Sequence, residues 1–104
     1  MQFDNLSDIL FKLKFQDETE AIPVPDCDID IELFVYTNKV VKATKRGAVF
    51  ANCVLDTDGI IVTFDKPDLG VGKLKMRTMY AIPDERFTDG MRNESKTEII
   101  GEIV

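Results

Sequence analysis

The chain contains no histidine and no tryptophan. Without histidine there is no imidazole base working near neutral pH, no Ser–His or Cys–His pair and no imidazole metal ligand, so most hydrolase mechanisms fall away. The two cysteines, Cys27 and Cys53, are too few to staple a secreted scaffold. Both read as small core residues, and their strand parities leave a disulfide between two sheets open. The opening residues MQFDNLSDIL hold neither a basic segment nor an apolar run of signal-peptide length, and no stretch approaches the ~18 apolar residues of a membrane span. The expectation is a protein made and folded in a cytoplasm, with no membrane partner. Basic residues are scarce beside acidic ones, 13 against 19, and a net charge of −6 repels polyanions, so nucleic acid is not an expected partner.

What is present is the balance of an ordinary globular chain: 44% apolar and 31% charged residues in 104, enough for one core and one domain spanning 1–104. The dominant signal is an alternation of period two, the pattern of half-buried strands. Inward rows read Phe11/Leu13/Phe15, Cys27/Ile29/Ile31/Leu33/Val35, Val49/Ala51/Cys53/Leu55, Ile60/Val62/Phe64 and Leu74/Met76/Tyr80. Asp58-Gly59 between apolar runs is a hairpin cue, because glycine accepts positive φ without strain. Pro67, Gly70 and Gly72 confine 65–72 to a loop. Pro83 to Asn93 reads as the longest irregular stretch, pinned to the core by Phe87, and the last run is Glu98 to Val104. The only helix-compatible pieces are Leu6 to Phe11 and a turn within Asp84 to Phe87. About seven short strands at turn spacings of roughly 8 to 12 residues predict an all-β fold, a two-layer antiparallel β-sandwich. It is immunoglobulin-like in architecture alone, since the core tryptophan and the cysteine spacing of antibody domains are missing.

Three constellations are candidates for function. Asp26, Asp28, Asp30 and Glu32 form one row on one strand face. Side chains ~6 to 7 Å apart along such a row are too far apart to hold one cation unaided. A Ca²⁺-binding EF-hand loop would also need Gly where Ile31 stands and Glu where Thr37 stands, so the row reads as a solvated or docking face and no metal is expected. Lys39, Lys42, Lys45 and Arg46 form a basic block, read either as a charged edge strand or as the complement of the acidic zone in head-to-tail contacts between copies. The closing run carries Ile99 and Ile103 on one face and Ile100 and Val104 on the other; it is either an ordinary last strand or an uncovered one that adds to a neighbour. A glycine pair at Gly70-Val71-Gly72-Lys73 lacks the spacing of a phosphate loop. No catalytic residues stand out and no cofactor is expected. Tyr80 and Phe87 are the residues for an alternative reading, a stacking platform for carbohydrate.

A resemblance adds to this. The strand Phe11-Lys12-Leu13-Lys14-Phe15, the return Asp58-Gly59-Ile60-Ile61-Val62-Thr63-Phe64-Asp65, the turn Leu69-Gly70-Val71-Gly72-Lys73-Leu74 and the segment Tyr80-Ala81-Ile82-Pro83-Asp84 with Phe87-Thr88-Asp89-Gly90 are what carry it. Together they resemble small immunoglobulin-like modules of tailed-phage virions, found in baseplate, tail and neck proteins of Bacteroides-type phages and prophages. The resemblance spans about Leu10 to Val104 and implies a non-enzymatic structural protein, assembled in the host cytoplasm and then part of the virion. Its partners would be itself or other virion proteins. Beside it stand the ligand-binding reading and a small inhibitor acting through its acidic face.

Overall fold

The computed structural model describes residues 2–14, 27–56 and 59–104. These residues form nine strands: β1 (Gln2–Phe3), β2 (Ile9–Lys14), β3 (Asp28–Phe34), β4 (Val40–Arg46), β5 (Val49–Ala51), β6 (Cys53–Leu55), β7 (Gly59–Phe64), β8 (Gly72–Pro83) and β9 (Met91–Ile103). They make a large sheet in the order β1-β9-β8-β3-β4-β5 and a small one in the order β2-β7-β6. The fold is the expected all-β sandwich, and every pairing is antiparallel except β1 with β9. Among the described residues there is no helix, and none therefore long and apolar enough to cross a membrane.

Alternation places the core. Ile29, Ile31 and Leu33 of β3, Ala43 of β4 and Leu74, Met76 and Ile82 of β8 face Ile9 of β2 and Ile60, Val62 and Phe64 of β7. Each large aliphatic side chain so buried contributes roughly 1.5–3 kcal/mol over its exposed state. Glycine is demanded where strands crowd. A Cβ on Gly72, at φ +146, would sit 2.8 Å from Val35 Cγ1.

Several expectations are corrected. Val49, Ala51, Cys53 and Leu55 do not form one inward row: Val49, Ala51 and Leu55 are exposed and Cys53 is buried. The reason is Asn52, whose φ of 58 ends β5 in the large sheet and starts β6 in the small one, so that Phe50 rather than Val49 turns inward. Gly59 closes its hairpin with Asp56 N–H donating to Gly59 O at 2.9 Å, but its φ is not positive. Cys27 and Cys53 are buried and not joined in a disulfide, and Cys53 Sγ donates to Thr44 O at 3.3 Å. Burial pushes the Cys53 thiol above its ordinary value. Leu6 to Phe11 contributes no helix; β2 begins at Ile9. The irregular stretch is shorter than 83–93: β8 runs to Pro83 and β9 starts at Met91, which leaves Asp84 to Gly90 as the turn. Phe87, in the short turn between them, is 47% exposed and pins nothing. Phe15 and Asp26 lie outside the described residues, as do Asp17, Glu18 and Glu20, the acidic residues that precede the row.

Candidate interaction edge

The hairpin β8–β9 is the longest element, and its turn is built by side chains. Asp84 N–H donates to Gly90 O at 2.8 Å and Gly90 N–H to Phe87 O at 2.9 Å. Asp84 grips Arg86 through both carboxylate oxygens, at 2.9 and 2.7 Å, and accepts the Arg86 amide at 3.1 Å. Those bonds hold the Asp84 carboxyl down at about 2. Asp89 Oδ1 accepts the amide of Met91 at 3.1 Å and so starts β9.

From this turn the polarity of the edge follows. Pro83 faces Met91 and has no amide to give, while the preceding pair, Asp84 and Gly90, is bonded. In an antiparallel ladder bonded and non-bonded pairs alternate, so Met91, Asn93, Ser95, Thr97 and Ile99 aim their N–H and C=O groups away from β8. A bulge between Leu74 and Lys75 takes up Ile100, and beyond it β1 covers the edge, with Gln2 opposite Glu102 and Phe3 opposite Ile103. Val104 N–H donates to Phe3 O at 2.8 Å. Among the described residues, therefore, 91–99 is a strand edge with no neighbour.

The closing residues expected to be open thus divide. Ile103 is 2% exposed beneath β1, Ile100 packs against the core, and only Ile99 and Val104 stand in solvent, at 59% and 55%. The segment 102–104 is covered by its own chain, and the uncovered part of the strand lies on its N-terminal side.

The acidic and basic blocks do not form separate zones. β3 and β4 are neighbours, so the carboxylates of one lie beside the cations of the other. Arg46 Nη2 meets Asp30 Oδ2 at 2.6 Å, a bond that raises the Arg46 guanidinium above its ordinary value. Asp28 Oδ1 accepts Gly47 N–H at 3.1 Å. Glu32, nearly buried, is held by Arg77 at 2.6 Å with Lys42 at 3.9 Å. Lys39 Nζ donates to Asp68 O at 2.6 Å. Lys45 is not on the surface at all: it is 1% exposed on the inward face with Val41 and Ala43, and its Nζ donates to Cys27 O at 2.6 Å. Among the described residues, Arg46 and Lys42 reach the acidic row while Lys39 and Lys45 bond to main-chain carbonyls, so these four do not stand as a separate zone for the acidic face of another copy.

Tyr80 packs against the core, whereas Phe87 sits at the hairpin tip, so the two do not share a platform. An open hollow of about 500 Å³ lies instead on the outer face of the large sheet, lined by Asp28, Asp30, Arg46, Met79, Asn93 and Ser95 among others. Among the described residues no three potential metal ligands cluster. Sequence reasoning missed Arg77, which neutralises Glu32 and lies over the Phe34 ring with its guanidinium 5.9 Å from the centroid. The alternation of Lys73, Lys75 and Arg77 was visible in the sequence, but the β3–β8 register that sets Arg77 opposite Glu32 was not. It missed the 91–97 edge as well.

No known protein family matches the chain, no curated protein matches it, and no solved structure matches it.

Proposed function

We propose that the chain is a non-enzymatic assembly module that joins another subunit by strand addition along the outer edge of β9, within the virion of a tailed phage. The observation that carries this is the run 91–99, in which no strand of the described chain bonds to the outward amides and carbonyls. An uncovered edge of this length invites unwanted pairing, and proteins ordinarily shorten, kink or cover such edges. Here the charges Arg92, Glu94, Lys96 and Glu98 guard it without blocking it. Main-chain bonds to an added strand supply affinity, and the alternate side chains supply choice of partner. The virion setting rests on the resemblance of the hairpin and turn segments to phage modules. Assembly in the host cytoplasm and a final place in head, neck or tail go with it.

The test is co-expression with the products of the adjacent genes, followed by affinity capture. The wild-type chain is expected to retain at least one of them, and Ser95→Pro to lose it. That substitution deletes an outward donor and leaves the bonds to β8 alone. A chain that captures none of these products and also stays monomeric at high concentration refutes the reading.

A further inference from the structure

The occupant of this edge can be argued from the order of its side chains. We infer that the partner strand is β9 of a second copy, paired antiparallel about a two-fold axis through Ser95. The inference rests on the strand-addition reading above and gives it a partner and a register.

Two independent observations select that register. The first is charge. On the inward face β9 reads Arg92, Glu94, Lys96, Glu98, alternately positive and negative. Pairing about Ser95 sets Arg92 opposite Glu98 of the second copy and Glu94 opposite Lys96 of the second copy, so every facing pair is of opposite sign. Sliding by two residues either way sets glutamate against glutamate or lysine against lysine, and directly opposed like charges are destabilising. Sliding by one residue turns the charged face of one strand onto the outer face of the other. The second observation is the length of the free edge. It runs from Met91, just after the turn, to Ile99, just before the bulge and β1, and its midpoint is Ser95. In the symmetric register the turn of each copy ends where β1 of the other begins, and the whole open edge is used.

The rest of the pairing fits. The outward-aimed residues 91, 93, 95, 97 and 99 meet one another in bonded pairs, giving about ten main-chain hydrogen bonds. On the outer face Met91 lies against the exposed Ile99 of the second copy, Asn93 against its Thr97 and Ser95 against its Ser95. The contact is isologous and closes as a dimer, joining two large sheets into one.

The experiment is sedimentation of the full chain across a wide concentration range. The expected result is a monomer–dimer equilibrium ending at twice the 11.8 kDa chain mass. Glu94→Lys sets lysine against lysine at both ends of the axis and is expected to weaken the dimer about tenfold. Adding Lys96→Glu restores opposite signs and is expected to return it to within about threefold of wild type. Ser95→Cys is expected to form a disulfide-linked dimer under mild oxidation, and Thr97→Cys is not, because Thr97 faces Asn93 of the second copy. The native thiols are buried and do not compete. A dimer cross-linked through Thr97→Cys and not Ser95→Cys overturns the register. A strict monomer that still captures a neighbouring gene product through β9 overturns self-pairing and leaves the assembly reading standing. A dimer indifferent to both Glu94→Lys and Ser95→Pro overturns the edge as the contact altogether.

Discussion

Gly59→Ala is the substitution whose cost can be worked most directly from the geometry. Gly59 opens β7 opposite Lys14, the last residue of β2. A Cβ there would lie 1.8 Å from the carbonyl oxygen of Leu13 and 2.8 Å from its carbonyl carbon, both main-chain atoms that no rotamer change can move. Carbon and oxygen in contact stand about 3.3 Å apart, so the strands must part locally by about 1.5 Å. That undoes the rungs Leu13–Ile60 and Lys14–Gly59, at about 1 kcal/mol per hydrogen bond, and lifts the half-buried Leu13 from the core for about 1 kcal/mol more. The lower chain entropy of unfolded alanine returns about 0.5–1 kcal/mol. The expected loss is about 2 kcal/mol, read as a lower urea midpoint at constant m-value. Gly47→Ala is the control: its Cβ meets nothing within 4 Å, so only the left-handed φ of 58 costs, about 1 kcal/mol. A Gly59→Ala chain as stable as wild type, or more so, would mean that β2 and β7 do not approach as described.

Two further outcomes are expected. Arg77→Ala leaves the nearly buried Glu32 with Lys42 at 3.9 Å as its remaining cation and removes one of the two cations over Phe34; with Arg77 itself partly in water, the loss is about 1–2 kcal/mol. A double-mutant cycle with Glu32→Gln checks it, and additive losses would dismiss the coupling. Asp84 is expected to titrate by NMR with a midpoint at about 2, below its ordinary 3.8, and Arg86→Ala to move it upward. Because the folded value is the depressed one, the stabilisation is present above pH 3.8 and disappears as pH falls through about 2; a wild-type midpoint near 3.8 would contradict the Arg86 grip.

How much of this was legible depended on whether a strand had a core beneath it. β3, β7 and β8 announced themselves because Ile29, Ile31, Leu33, Ile60, Val62, Leu74 and Met76 must all reach one interior. β9 did not: between Met91 and Glu98 it carries no inward apolar row, its inward face being Arg92, Glu94, Lys96 and Glu98. An edge strand with charges on its inward face has no hydrophobic period to read, so the residues of the candidate site looked like loop. Lys45 was hidden differently. Its parity with Val41 and Ala43 pointed inward, but a lysine in a basic block is read as surface until a carbonyl, here that of Cys27, is seen to receive it. The split of Val49–Leu55 between two sheets turns on the backbone of one asparagine, which alternation cannot detect.

That asparagine has a mechanical consequence. Asn52 alone separates β5 of the large sheet from β6 of the small one; its side-chain amide donates to Lys42 O of the large sheet at 2.9 Å, and its carbonyl accepts Thr63 N–H of the small one at 2.9 Å. The chain also changes leaf between β1 and β2 and between β7 and β8, but through longer connections, so the crossing at Asn52 is the tight one. A sliding of one leaf over the other has a single residue of slack at that corner, and it must break the two hydrogen bonds that Asn52 makes, one to each leaf.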